Sequence, residues 1–326
     1  MSESKIRIWL DKNESPFDLP SDLKEELFNE LKKLSLNRYP SKHANSLRQK
    51  IAEFYGLSKE NIIVGNGSDE LLIYLMRAFK GKYILISSPT FDMYEKIAKI
   101  LGIKVLDIPL DNNFEIDRNL LCKYAKNAIT TFICSPNNPT GNLQRKDKII
   151  DVLEQKGIVV VDEAYVEFSK QSVLDLLTCY DNLIILRTFS KAFGLAGIRV
   201  GYLLVNEQIL NILLKIKLPY NLNVLSAKIA EFMLENYDII EKTIKYIVSE
   251  RKRVYRALKR YAYPSEANFL LINLNSYEYL LNKGIAVRKL GGKLKNMVRV
   301  TIGRKEENDE VIKALKEFAK CEMGSV

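Results

Sequence analysis

Four short segments carry residues whose types and spacing could do chemistry. In TFSKAFGLAGIRVG, residues 188–201, a hydroxyl (Ser190), an amine (Lys191) and a guanidinium (Arg199) share one glycine-containing loop. A lysine among apolar residues has its charged form disfavoured and becomes a nucleophilic amine, whereas a lysine on an open loop is merely solvated. In VVVDEAYVEF, residues 159–168, an apolar run ends on Asp162. That carboxylate is expected to be buried and to need a cationic or hydrogen-bonding partner, since burying it alone is costly. Tyr165, three residues on, can face the same pocket; a satisfied buried network without catalysis would look the same. In GNGSDE, residues 65–70, Ser68 stands before leucines, Met76 and Phe79 at helical spacing, and is expected as an N-cap. Glycines allow close backbone approach, and free N–H groups at a helix start suit a phosphate, although an ordinary capped helix explains the motif equally well. SPNNPTG, residues 135–141, holds Asn138 in a commonplace Asn-Pro turn.

The elements around these segments give them a common place. YILIS (83–87), KVLDIPL (104–110), AITTFIC (128–134), GIVVVD (157–162), NLIILRT (182–188) and RVGYLLV (199–205) are apolar, strand-like runs separated by amphipathic helical stretches. This pattern predicts an α/β fold with a mostly parallel central sheet covered by helices on both faces. Ligands of such sheets sit at the carboxyl ends of the strands, where Asn138, Asp162 and the Lys191 loop fall. Residues 1–20 read as an extended arm leading to a helix capped at Ser21-Asp22, with helices near 22–34 and 45–55 and one long or two joined helices over 223–260. After Pro264, NFLLINL (268–274) and MVRVTI (297–302) predict strands, and 276–282 and 306–320 helices, of a smaller α+β domain. The expected division is an arm and helix joining the small domain (1–35), a large domain (36–245) and a small domain (246–326).

Composition removes several function classes. With 47% hydrophobic and 28% charged residues in 326, the chain can bury a core, and no apolar run approaches the roughly 18 residues of a membrane span. Charges at Glu3, Lys5, Arg7, Asp11 and Lys12 leave no room for a signal-peptide apolar region, so a cytoplasmic location is expected. The net charge of +10 is interleaved with glutamate and not gathered into a stripe, which argues against nucleic acid. Cys122, Cys134, Cys179 and Cys321 match no metal-ligand spacing. One histidine, His43, excludes a multi-histidine metal site and weakens any Ser-His-Asp proposal.

An amine nucleophile, a buried carboxylate, a phenol, an amide and a phosphate cradle together make the set that a pyridoxal phosphate site requires. In the order GNGSDE, SPTFDMY, SPNNPTG, VVVDEAY, SKAFGLAGIRVG and VRVTIG, from about residue 9 to 320, the chain resembles the fold type I, class I/II aminotransferases. Within them LDKNESPF, NRYPS and ANFLLINL are most similar to the histidinol-phosphate aminotransferases. Threonine-phosphate decarboxylases and aromatic aminotransferases are the rivals within the fold.

The resemblance implies roles residue by residue. Lys191 holds pyridoxal phosphate covalently and moves the proton, and Asp162 pairs with the protonated ring nitrogen. Tyr165 and Asn138 bond the ring's phenolic oxygen, Asn138 also facing the substrate. Phe91 stacks on the ring where the family often has tyrosine. The backbone N–H groups of Ser68 and Asp69, with Ser190 and Arg199, hold the cofactor phosphate. Tyr39 reaches that phosphate from a neighbouring subunit, which implies a homodimer with shared sites. Arg299 clamps the substrate anion, with Arg288 as a second anion binder. The substrates implied are an amino donor and an oxo acid, one of them phosphorylated. Ser15 stands where some relatives carry an aromatic that contacts the phosphorylated substrate.

Overall fold

Strands that are apolar on both sides cannot leave a face in water, and here they form the middle layer of a sandwich. In the computed structural model, which describes residues 6–169 and 171–323, eleven strands fall into two sheets. The ends of the expected arm and small domain, residues 1–5 and 324–326, lie outside the described residues. The strands are β1 (Ile8–Leu10), β2 (Ile62–Gly65), β3 (Tyr83–Ile86), β4 (Val105–Asp107), β5 (Ala128–Cys134), β6 (Val159–Asp162), β7 (Leu183–Thr188), β8 (Gly201–Leu204), β9 (Phe269–Ile272), β10 (Ile285–Lys289) and β11 (Val298–Thr301). The larger sheet has the order β2-β8-β7-β6-β5-β3-β4. Successive side chains point to opposite faces, so Val159, Val161, Leu183 and Ile185 join one core cluster while Val160, Ile184 and Leu186 join the other.

Strand β8 runs against both neighbours, β2 and β7, and the other strands run parallel. Its reversal brings the start of β8, just after Arg199, to the edge where β2, β5, β6 and β7 end. Two glycines make the close approach possible. A Cβ on Gly201 would lie 2.5 Å from the Ser68 nitrogen, and Gly67, at φ +81°, would place one 2.6 Å from Arg199 Nη2. The helix Ser68–Ala78 therefore starts directly against the β2–β8 edge.

The smaller sheet has the order β1-β10-β11-β9, with β1 parallel to β10 and the remaining pairs antiparallel. The arm thus contributes a strand, β1, which the sequence reading took as extended chain only. Three residues are too few for a period to show. Strand β10 also escaped notice, because its apolar start ends in Arg288 and Lys289. The stretch 223–260 resolves as two helices, Val224–Glu235 and Tyr237–Leu258, meeting at Asn236.

Several expected boundaries move. Ser68 is the first helical residue, and the N-cap is Gly67 with no side-chain cap bond; Ser21 likewise starts its helix behind Pro20. The expected strand at 104–110 is confined to Val105–Asp107, ahead of Pro109. That at 199–205 begins at Gly201, because Arg199 takes a left-handed φ of 54° that strand geometry does not allow.

Beside Asp162, the end of β6 is anchored by a buried ion pair. Arg187 Nε and Nη2 donate to Glu163 Oε2 at 3.0 and 2.7 Å, Nη2 also to Ser172 Oγ at 2.9 Å, and the guanidinium lies 4.8 Å from the Tyr55 ring centroid. Removing one partner strands a buried charge, so Arg187→Ala is expected to lower the unfolding free energy by about 3–5 kcal/mol. Urea denaturation checks this; a loss of about 1 kcal/mol, as for an exposed pair, contradicts it.

Candidate active site

The carboxyl edge of the large sheet opens into a cavity of about 630 Å³ that reaches the small sheet. Its wall includes Ser68, Asp69, Phe91, Asn138, Asp162, Tyr165, Ser190, Lys191, Arg199, Arg288 and Arg299. Eleven of the twelve residues singled out in the sequence therefore share one pocket. Tyr39 does not: it is 84% exposed and stacks on Tyr220 at 5.1 Å, outside this cavity.

Asp162 ends β6 with only 3% of its surface exposed. Its partners are a phenol and a backbone amide, not a cation: Tyr94 Oη donates to Oδ2 at 2.6 Å and the Ala164 N–H to Oδ1 at 3.1 Å. Burial pushes its carboxyl up to about 6, against the pull of those two donors. Lys191 follows β7, and its Nζ donates to the Lys12 carbonyl at 2.9 Å. Burial, reinforced by the neighbouring cations Arg299 and Arg199, lowers this amine to about 8, while Glu14 and Asp69 oppose the shift. Neither group pairs with the other. Each is pushed toward its neutral form, which makes the amine a nucleophile near neutral pH.

A second cluster spans the two sheets. The buried Tyr165 hydroxyl receives Asn13 Nδ2 at 3.0 Å and Asn138 Nδ2 at 3.3 Å. Burial raises the phenol to about 12, with Arg299 and Asn13 acting the other way. Asn138 Oδ1 accepts from Arg299 Nη1 at 2.6 Å, and Arg299 Nη2 donates to the Asp11 carbonyl at 2.6 Å. Arg299 Nε is buried without a partner. Across the β10–β11 ladder, Arg299 faces Arg288 directly. Arg288 is exposed and reaches Asp92 Oδ2 at 3.5 Å.

The start of the helix Ser68–Ala78 supplies free N–H groups beside Arg199, whose Nη2 lies 3.2 Å from Asp69 Oδ2. Ser190 is buried at the same edge, its backbone N–H held by Thr188 Oγ1 at 3.1 Å. Phe91 lines the cavity and meets Tyr94 edge-on at 5.5 Å. A helix start able to hold an anion, an aromatic face and an amine in one cavity make a cradle for a planar, phosphorylated, carbonyl-bearing group.

Two residues central to this geometry carried no assigned role in the sequence reading. Tyr94 stands three residues beyond Phe91 in the SPTFDMY segment, and Asn13 lies inside LDKNESPF, at φ 56°. Tyr94 takes its place from Asp162, 68 residues away. Nothing local marks Asn13, whose bonds go to Tyr165, Thr301 and Asn268.

Comparison with known proteins gives this pocket its context. The family described as aminotransferase class I and II matches residues 5–315. A histidinol-phosphate aminotransferase of Pyrococcus furiosus is 57% identical over 99% of this chain and 96% of its own length. Among solved structures, the histidinol-phosphate aminotransferase of Clostridium acetobutylicum superposes with a TM-score of 0.87 at 28% identity, covering 95% of this chain and 98% of that one. The L-threonine-O-3-phosphate decarboxylase of Porphyromonas gingivalis superposes with a TM-score of 0.83 at 25% identity, covering 96% and 100%. Fold alone thus does not separate the two activities; the 57% identity is to a histidinol-phosphate aminotransferase. On a family match that runs through both sheets and every wall of the cavity, the chain belongs to the class I and II aminotransferases.

Proposed function

We propose that this protein exchanges an amino group between histidinol phosphate and 2-oxoglutarate, giving imidazole-acetol phosphate and glutamate, reversibly, with glutamate as donor in histidine biosynthesis. Pyridoxal phosphate is the cofactor. The pocket fits it on three counts: Asp162 is a buried carboxylate with no protein cation beside it, Gly67 and Gly201 clear the helix start, and Lys191 is a depressed amine lining the same cavity. Bound there, the cofactor supplies a carbonyl that accepts an amine and a cationic ring that withdraws electrons from the carbon bearing it.

The residues of the chain do the rest. Asp162 would hold the ring nitrogen, Tyr165 and Asn138 the phenolic oxygen, and Phe91 the ring face. Ser68 and Asp69 N–H groups, Ser190 and Arg199 would hold the phosphate. Lys191 anchors the cofactor between turnovers and, when displaced, carries a proton on Nζ to and from the substrate carbon. With its amine lowered to about 8, about a tenth of Lys191 is neutral and nucleophilic at pH 7, far more than of an ordinary lysine.

The observation that carries the substrate assignment is the Arg288–Arg299 pair. Like charges directly opposite in a ladder are destabilising, and one of these two is buried with an unpartnered Nε. Arg288 already reaches Asp92 at 3.5 Å, so the gain from an anion falls chiefly on the buried Arg299 Nε, and the forked guanidinium suits a phosphate as well as a carboxylate. The division into arm and helix (1–35), large unit (36–245) and small unit (246–326) belongs to the same proposal, as does a cytoplasmic location; among the described residues no helix is long and apolar enough to cross a membrane. So does a homodimer, supported by the exposed apolar group Leu36, Tyr39, Leu218 and Tyr220, with Tyr39 serving the neighbouring subunit's phosphate site.

Mixing the protein with pyridoxal phosphate and histidinol phosphate is expected to convert the cofactor to its pyridoxamine form, followed by absorbance. No conversion, or carbon dioxide release from threonine phosphate, contradicts the assignment; faster conversion by phenylalanine points to an aromatic aminotransferase. Arg299→Lys keeps the charge and loses the fork, and is expected to lower kcat/KM for histidinol phosphate by roughly a hundredfold, as two charge-assisted hydrogen bonds would. Steady-state kinetics for both half-reactions checks it. Covalent attachment of pyridoxal phosphate, trapped with borohydride, is expected to quicken with pH and level off above about 8, because neutral Lys191 is the attacking form. Continued quickening toward the ordinary lysine value contradicts the depressed amine, and trapping in Lys191→Ala removes its role.

A further inference from the structure

Tyr94 belongs to no role assigned so far, yet it makes the shortest contact to Asp162. Its hydroxyl donates to Oδ2 at 2.6 Å, while the Ala164 N–H holds Oδ1. The tyrosine is fully buried, stacked on Phe132 at 4.8 Å and 15°, and edge-on to Phe91 at 5.5 Å and 88°. The ring cannot turn away without breaking the packing of the helix Met93–Ile100 on β5. The hydroxyl therefore points at the carboxylate permanently.

We propose that Tyr94 is a positioning residue that weakens Asp162 as a base, so that the proton shared between Asp162 and the cofactor's ring nitrogen stays on the nitrogen. The inference rests on the reading of Asp162 as the partner of that nitrogen.

A carboxylate facing a pyridine nitrogen shares one proton with it, and the proton lies with the stronger base. Burial makes Asp162 an unusually strong base for a carboxylate, raised to about 6 even with both donors in place. The other groups around it do not help: Asp69 at the start of the helix Ser68–Ala78 and Glu163 on its own strand raise it further, and Cys134 of β5 and Tyr165 are neutral neighbours. Tyr94 and the Ala164 amide are what pulls the other way. The phenol is itself held well above its ordinary value by burial and by Asp162, so it stays protonated and donating across the working range. A hydrogen bond to a charged acceptor is strong enough to move the shared proton's equilibrium about ten- to a hundredfold. Without it, the proton drifts to Asp162, the ring becomes neutral, and its pull on substrate electrons falls.

The test uses the full-length holoenzyme loaded with pyridoxal phosphate labelled with ¹⁵N in the ring, observed by ¹⁵N NMR from pH 6 to 9. The wild type is expected to show a protonated ring nitrogen. Tyr94→Phe, which keeps the buried ring, is expected to move the signal toward neutral pyridine. A site-specific fluorotyrosine at position 94, a stronger donor of the same shape, is expected to move it the other way or leave it fully protonated. In cofactor-free protein, the Asp162 carboxyl titration followed by ¹³C NMR is expected to shift upward by one to two pH units in Tyr94→Phe, the same ten- to hundredfold effect. A merely structural tyrosine would lower the thermal midpoint of Tyr94→Phe and move neither signal, which would overturn the proposal. If the wild-type nitrogen is neutral and Asp162→Asn leaves it unchanged, the reading of Asp162 itself has failed. If Asp162→Asn abolishes protonation and Tyr94→Phe does not affect it, only the present inference has.

Discussion

The constraint that organises this protein is the burial of opposite charges that are kept from pairing. Asp162 and Lys191 stand at the ends of adjacent strands, β6 and β7, yet each bonds only to neutral groups: a phenol and an amide for one, a carbonyl for the other. Were they to meet, the pair would be stable and inert, with the lysine charged. Held apart, the carboxyl rises to about 6 and the amine falls to about 8. Both shifts have burial as their first cause, so the pocket stores in its geometry a demand for a cation near Asp162 and an electrophile near Lys191. A protonated pyridine ring with an aldehyde answers both demands at once.

The architecture serves that separation. Parallel strands aligned side by side bring β5, β6 and β7 to a common edge, which fixes Asn138, Asp162 and Lys191 on one line. The single reversed strand, β8, then returns its beginning to that edge and delivers Arg199 opposite a helix start. A fully parallel sheet would have put Arg199 at the far side. The second sheet borders the same cavity and contributes Arg288 and Arg299, which face each other across β10 and β11. The charges proposed to serve the cofactor thus come from the large sheet and those proposed to serve the substrate from the small one.

Legibility in the sequence followed the range of each interaction. The parallel layers showed clearly because strands such as VVVD and LIILRT are apolar at every position, a pattern that only burial on both faces produces. Asp162 stood out as a charge at the end of such a run. By contrast, β1 and β10 are short or half-charged and gain their strand character from each other across 277 positions, as in the Ile8–Ile285 register. The N-cap expected at Ser68 went to Gly67, because close approach to Arg199 and Gly201 outweighed local capping preference. Tyr94 and Asn13 take their meaning from partners 68 and 152 residues away, and no local spacing announces a hydrogen bond of that kind.

The arm shows how the polar groups inside the pocket are satisfied by the chain itself. Three successive residues each satisfy one functional group: the Asp11 carbonyl accepts from Arg299, the Lys12 carbonyl from Lys191, and Asn13 donates to Tyr165. Strand β1 ties this segment to β10, so the arm and the Arg288–Arg299 ladder belong to one sheet. A substrate anion that takes the full fork of Arg299 must replace the Asp11 and Asn138 acceptors rather than add to them. Binding is therefore an exchange of hydrogen bonds, whose net gain is small compared with the gross strength of each. On the proposed role of Arg299, such an exchange would let one arginine release a phosphate and accept a carboxylate in alternate half-reactions, with the arm's carbonyl returning between them and Nε the one donor that an anion newly satisfies.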